Sequence, residues 1–360
     1  MASCDIDGDR LWAALATMAE IGATPSGGVR RLALSDEDRA ARDLFVRWLG
    51  EAGCLVRVDD LGNIYGRRAG NACDGAPVVM GSHLDTVPTG GRFDGALGVL
   101  AAVEVVRALN DAGAATRRPL EVVCWTNEEG VRFAPAMLAS GVVCGRFTVQ
   151  QAYATPDADG RTFEEELHRI GYAGAAANRL TAAAAYLELH VEQGPVLERG
   201  GDQIGVVEGV EEISWNRVEF IGCAAHAGPT PMADRRDALV AAARAVLALR
   251  EATGAVPDVR GTVGRIEVTP NVVNVVPGSV RLTADLRAPV AESLDRARTV
   301  FTQACGDIAH RDGVDVCVEE VWRSPATRFA PAVVETVARA AQARGYSIRR
   351  LWAGAGHDAK

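Results

Sequence analysis

Apolar positions along the chain keep two different rhythms. Over residues 9–22 and 35–52 they recur every three to four residues, which predicts amphipathic helices. The second helix is expected to open with Ser35 as N-cap, to hold Glu37 and Asp38 in its first turn, and to stop at Gly53. Next, LVRVDDLGNIYGRR reads as a hairpin-like pair of strands, APVVMGSH as a buried strand, GALGVLAAVEVVRALNDAG as a helix, and PLEVVCWTNEE as another buried strand. Apolar strands alternating with helices predict the α/β class, a mostly parallel sheet with helices on both faces. Residues 163–171 and 175–186 predict further helix, and AYLELHVEQG predicts a further strand that carries His190.

After Gly205 the rhythm changes. VVEGVEEISWNRVEFIGCAAH alternates as half-exposed strands do, ADRRDALVAAARAVLALREATG is an amphipathic helix, and GTVGRIEVTPNVVNVVPGSVRLTADLRAP supplies two more strands. SLDRARTVFTQACGDIAHRDG is a second helix and VDVCVEEVWR a closing strand. The pattern therefore predicts residues 1–207 and 324–360 as one domain, with residues 208–323 inserted as an α+β unit of a four-stranded sheet and two helices. The larger domain resumes with a helix near 330–345 and a strand leading to GAGHDA.

Composition narrows the classes. A length of 360 residues with 48% hydrophobic content supports a full core and favours two domains. A net charge of -9 with pI near 5.3 argues against a nucleic-acid groove or an anionic membrane partner. No apolar run approaches the ~20 residues that span a bilayer. The N-terminal stretch carries acids where a secretory leader has a basic and then an apolar region, so a cytoplasmic location is expected. The eight cysteines, Cys4, Cys54, Cys73, Cys124, Cys144, Cys223, Cys305 and Cys317, show no CxxC spacing, and several lie in apolar runs such as EVVCW and GVVCG; buried free thiols are expected. Every basic residue except Lys360 is arginine, which disfavours Schiff-base, P-loop and Ser-Lys chemistry, and there is no G-x-S-x-G elbow.

In open α/β sheets, ligands collect beyond the C-terminal ends of strands. Four segments fall there: His83 after a buried strand with Asp94 following before a Gly-rich helix start, the adjacent Glu128 and Glu129 of CWTNEEG, His190 of LELHVEQG, and His357 of GAGHDA. A lone histidine at a strand end is usually a hydrogen-bonded structural residue, and paired glutamates are usually solvated. Here three of the six histidines fall at apolar strand ends beside glycine, and two acidic clusters share that setting. Imidazoles with carboxylates suit a divalent metal, and a carboxylate such as Asp94 can bridge two ions about 3.5–4 Å apart. One of the paired glutamates is expected to ligate while its neighbour moves a proton. His168 and His310 lie in charged helical stretches and read as surface residues.

A second set lies in the inserted unit. CAAHAGPTPM holds His226 in a tight Gly/Pro loop, from which an imidazole can donate to a developing oxyanion. PNVVNVVPG offers Asn271 and Asn274, and ADLRAP places Arg287 late in a strand. An arginine fork matches a carboxylate, although a surface salt bridge is equally compatible with that position.

Together, GSHLDTVPTGGRFDGALGV, TNEEGVRF, ELHVEQGPVLE, AHAGPTPMADRRDA, PNVVNVVPG and GAGHDA resemble the hydantoinase/carbamoylase family of dinuclear metal amidohydrolases. That family includes N-carbamoyl-L-amino acid hydrolases, allantoate amidohydrolases and β-ureidopropionases, and is related to aminoacylases and zinc exopeptidases. The resemblance implies a zinc-exopeptidase-like catalytic domain with an inserted lid that also makes a homodimer contact, its histidine completing the partner subunit's site. It implies two divalent ions, zinc or else manganese, cobalt or nickel, one held by His83, Asp94 and His190 and the other by Asp94, Glu129 and His357. Glu128 would be the general base, and Gln193, His226, Asn274 and Arg287 would position substrate, the last two at its carboxylate. The implied reaction is hydrolysis of an N-carbamoyl-L-amino acid, with allantoate, a dipeptide, or a catalytically silent dimerisation role as alternatives. Relatives continue past GAGHDA through a final strand and helix, so His357 is expected near a frayed end. Ala353 stands where the family often has serine.

Overall fold

The structure, a computed structural model, describes residues 5–72 and 75–360; Cys4 and Cys73 lie outside them. Two compact units emerge, residues 1–196 with 356–359, and residues 197–355 with Lys360.

The first unit opens with helices α1 (Gly8–Glu20) and α2 (Asp36–Glu51). Ser35 caps α2 as its pattern predicts, its hydroxyl accepting the Asp38 amide at 3.2 Å. The hairpin follows as β1 (Leu55–Val58) and β2 (Ile64–Arg68), then β3 (Val78–His83), α3 (Ala96–Asp111) and β4 (Leu120–Trp125). Short helices α4 (Leu138–Val143), α5 (Val149–Tyr153) and α6 (Phe163–Arg169) lead to β5 (Ala185–Leu187). The sheet order is β1-β2-β4-β3-β5. Its β4-β3-β5 portion is parallel, while the hairpin adds antiparallel pairs on one side.

Side chains of β4 alternate between two cores. Val122 and Cys124 join Phe45, Leu49, Val99 and Val103 on one face, and Val123 and Trp125 join Tyr65 and Val79 on the other. Burial on both faces is why this strand reads as a run of apolar residues from Val122 to Trp125, without alternation.

Two expectations need correction. Residues 175–186, alanine-rich and read as helix, form a 3-10 turn at Ala176–Asn178, then irregular backbone, and end in the first two residues of β5. Tertiary contacts outweigh the helical preference: Arg179 grips the carboxylate of Asp60, and the Asn178 side chain donates to the Val58 carbonyl at 2.7 Å. Leu180 then covers the Tyr65–Trp125 face. The strand expected to carry His190 ends earlier, at Leu187, leaving that histidine on irregular backbone.

A short helix α7 (Val196–Gly200) lies at the division between units. The second unit contains β6 (Ile204–Val210), β7 (Glu212–Ile221), β8 (Ala225–His226), α8 (Ala238–Gly254), β9 (Arg260–Thr269), β10 (Val275–Val276) and β11 (Ser279–Ala288). It continues with α9 (Ala291–Asp312), β12 (Asp315–Ser324), β13 (Thr327–Arg328), α10 (Pro331–Ala343) and β14 (Ile348–Ala353). An antiparallel four-stranded sheet, β12-β7-β11-β9, packs Val218, Phe220, Leu282 and Leu286 against Leu249, Leu294 and Phe301 of α8 and α9. β6 pairs with β13 and β14 in a separate three-stranded sheet under α10.

Among the described residues no helix is long and apolar enough to cross a membrane. The six described cysteines are free; Cys54, Cys124 and Cys305 are buried, whereas Cys144, Cys223 and Cys317 are exposed, so the apolar run around Cys144 does not bury its thiol.

Candidate metal centre

The parallel strands deliver the first candidates. His83 is the last residue of β3 and is buried; its Nδ1 lies 2.8 Å from the Asp85 carbonyl, which takes the ring proton and leaves Nε2 as the free donor of electrons. Gly95, between Asp94 and α3, has φ +61°, and a Cβ there would meet the His83 carbonyl at 2.5 Å and the ring at 2.6 Å. Only glycine lets the chain bring Asp94 this near His83.

His190 repeats the arrangement, with Nδ1 donating to the Val191 carbonyl at 2.9 Å. Its Nε2 then faces Oδ1 of Asp94 at 3.1 Å, while Asp94 Oδ2 accepts the Gln193 amide at 2.8 Å. Ligating atoms of His83, Asp94 and His190 all lie within 4.8 Å of one another, as do those of Glu188, His190 and His357. The His190 and His357 rings are 4.4 Å apart between centroids. His190 is thus common to both groups, and Glu129 belongs to neither.

Three buried atoms in this cluster have no hydrogen-bond partner: Asp94 Oδ1, His190 Nε2 and His357 Nδ1. An imidazole lone pair facing a carboxylate oxygen needs a positive charge between them. A divalent cation meets that need, and the nitrogen and oxygen donors are those such ions accept. Without a cation, a proton must serve: burial lowers the His190 pKa, but its bonds to Asp94 and Val191 outweigh this and raise it. Asp94 is also desolvated, yet His190 and His83 hold its carboxyl below the usual range. His357 is pushed down to about 3 by burial and by the two neighbouring imidazoles, which keeps its ring neutral, the form that can ligate a metal.

Glu128 and Glu129 sit just beyond β4. Their amides donate to the two carboxylate oxygens of buried Asp85, each at 3.2 Å, so one side chain fixes the turn that presents both glutamates. Arg42, buried on α2 and paired with Asp38 at 2.8 Å, donates to Thr126 at 3.2 Å and steadies the same strand end. Glu128 is buried, with a carboxylate oxygen 3.6 Å from His83 Nε2. Burial, followed by the charges of Asp358 and Asp85, pushes its pKa well above the usual carboxylate range. Glu129 is pushed up to about 7, mainly by burial.

Sequence reading passed over Asp85 and Glu188. Each stands two residues from a candidate histidine, in SHLD and ELH, but a single carboxylate at such spacing carries no signal until its hydrogen bonds are seen. The GAGHDA segment is less frayed than expected: Ser140 donates to Asp358 at 2.5 Å and the Ala359 amide to Glu188 at 3.1 Å.

In the second unit, His226 lies on β8, exposed and paired with Val275 of β10. Its Nδ1 accepts the Gly228 amide at 3.1 Å, so Nε2 carries the proton and can donate. Asn274 is exposed, its carbonyl accepting the Ala227 amide at 2.9 Å; Asn271 is also exposed, with φ +58°. Arg287 is half-buried, its Nε and one terminal nitrogen on the Asp285 carboxylate and the other terminal nitrogen on the Gly354 carbonyl at 2.7 Å. His168 and His310 are exposed, as expected.

Known proteins resemble this chain along most of its length. An N-carbamoyl-L-amino-acid amidohydrolase of Rhizobium meliloti is 45% identical over 359 residues, covering 98% of this chain and 85% of that protein. An allantoate amidohydrolase of Bacillus subtilis is 32% identical over 346 residues, covering 95% of this chain and 84% of its own. The crystal structure of a hydantoinase/carbamoylase family amidase from Burkholderia multivorans superimposes with a TM-score of 0.92 at 49% identity, covering 99% of this chain and 87% of that one. The profile of peptidase family M20/M25/M40 matches residues 79–360, most of the chain, and the chain belongs to that family.

Proposed function

We propose that this protein hydrolyses the carbamoyl amide of N-carbamoyl-L-amino acids with two divalent cations, zinc, manganese, cobalt or nickel. The observation that carries the reading is the trio of buried, unpartnered ligand atoms on Asp94, His190 and His357 beside buried Glu128. The substrate class is supported by the name of the 45% identical relative.

Bound cations supply Lewis-acid polarisation of the scissile carbonyl and of the attacking water. His83, Asp94, Glu129, His190 and His357 would hold them. Glu128, whose surroundings raise its affinity for a proton, takes one from the water and returns it to the leaving nitrogen of the amino acid. The released carbamic acid breaks down to ammonia and carbon dioxide. His226 donates its Nε2 proton to the developing oxyanion. Gln193 orients substrate, and Asn274 and Arg287 take its carboxylate. Asp285 and Gly354 occupy three of the guanidinium's nitrogen donors, so the substrate acid would use the hydrogens left on the terminal nitrogens.

The further parts of the reading are a lid at residues 208–323 that makes a homodimer, and a cytoplasmic location. The test is ammonia release from a panel of N-carbamoyl-L-amino acids, allantoate and ureidopropionate. Turnover restricted to the first class is expected. Preference for allantoate would reassign the substrate, and no turnover of any member by the metal-loaded protein would refute the reading.

A further inference from the structure

Glu188 is the first residue after β5. Backbone pairing between β3 and β5 runs from Val78↔Ala185 to Met80↔Leu187 and stops there. Beyond that point a side chain takes over: the Ser82 hydroxyl donates to Glu188 Oε1 at 2.6 Å. On the other oxygen, Oε2, the Tyr186 hydroxyl lies at 3.2 Å and the Ala359 amide at 3.1 Å. Ser82 is the residue before His83, Glu188 stands two before His190, and Ala359 two after His357. One carboxylate therefore joins the chain beside each of the three clustered imidazoles.

The tie to Ala359 bears most. Among the described residues, the segment from Gly356 to Ala359 makes no strand pairing, and two hydrogen bonds secure it to the first unit, Ser140 to Asp358 and Ala359 to Glu188. A metal ligand depends on such ties for its placement, and partners of this kind commonly change metal affinity by 10–100-fold when removed.

We propose that Glu188 is a positioning residue that seats His357 against His190, acting through the Ala359 amide and Ser82 and not as a ligand itself. Its Oε1 accepts the Ser82 hydroxyl and its Oε2 the Ala359 amide, with the Tyr186 hydroxyl, shared with the Gly81 carbonyl, beside it, which leaves little room for an ion at either oxygen. This rests on the metal-dependent reading above.

The variants separate the roles. An amide at this position can still accept from Ala359 and Tyr186 through its oxygen and donate to the Ser82 hydroxyl through its nitrogen, so Glu188→Gln preserves positioning but makes a poor ligand. Cobalt(II) titration of the metal-free protein, read by calorimetry and visible absorption, should show two equivalents in the parent. Glu188→Ala should weaken one equivalent by at least about tenfold and alter its absorption band, and Glu188→Gln should restore both. Ala359→Pro, which removes the amide donor from the other side of the same bond, should reproduce the loss and serves if Glu188→Ala does not fold. Failure of Glu188→Gln to rescue would make Glu188 a ligand and overturn the proposal. Two unchanged equivalents in Glu188→Ala or in Ala359→Pro would equally overturn it. A parent protein that takes up no cobalt would instead refute the metal-dependent function.

Discussion

Replacing Gly95 with alanine probes the point where backbone geometry and metal binding meet. Gly95 has φ +61° and ψ -45°, a conformation that costs an L-residue about 1–3 kcal/mol. The new methyl would stand 2.5 Å from the His83 carbonyl and 2.6 Å from its ring; regaining contact near 3.4 Å requires the ring to withdraw by about 0.8 Å. That exceeds the roughly 0.5 Å tolerance of a working ligand set. Strain and displacement together predict a destabilisation of roughly 2–4 kcal/mol, which for a unit of this size lowers the melting midpoint by roughly 5–15 °C. Metal affinity should fall by about 10–100-fold. Differential scanning calorimetry on the metal-free protein and zinc titration on the folded variant measure the two effects separately. A variant that melts with the parent and binds zinc as tightly would show that Gly95 does not constrain His83, and the account of the loop would be wrong.

Glu128→Gln keeps the shape of the proposed base but cannot accept the proton; kcat should drop by about 10²–10⁴ with metal content unchanged, and near-normal turnover would remove Glu128 from the mechanism. Glu129 gives the metal-free protein a pH-dependent stability. Its folded pKa, about 7, exceeds its ordinary 4.5, so its proton is held more tightly in the folded state. The benefit is complete below about 4.5 and lost as pH rises through about 7, by at most roughly 2 kcal/mol given its partial exposure. Urea denaturation in chelator should show stability declining over that window, with a flatter profile in Glu129→Gln; an unchanged profile in the variant would contradict the assignment. Brief treatment with N-ethylmaleimide should label Cys144, Cys223 and Cys317 in the native protein and spare Cys54, Cys124 and Cys305 until it is unfolded, as peptide mass spectrometry will report. Burial pushes the Cys305 thiol up to about 12, which reinforces its protection.

Periodicity located most elements to within a few residues because their local preferences agreed with their surroundings. Ser35 capped α2, largely apolar runs became β3 and β4, and alternation became the antiparallel sheet of the second unit. Reading failed at 175–186, where alanines favour a helix but Arg57, Asp60 and Val58, distant in sequence, draw the chain into an extended path. The candidate histidines and the paired glutamates were legible because unusual residue types stood at strand ends. Their supports were not: Asp85 and Glu188 are ordinary carboxylates until the fold aims two amides at one and a hydroxyl and an amide at the other.

Sequence alone determined the α/β class, the run of antiparallel strands after Gly205 and which side chains were candidates for a metal, since residue type and local spacing are properties of the chain itself. Tertiary structure decided which of those side chains meet. It grouped His83 with Asp94 and His190, set His357 beside Glu188, and occupied Arg287 with Asp285. Such groupings depend on where separate strands end relative to one another and on buried hydrogen bonds between residues far apart in sequence. No local pattern encodes those distances.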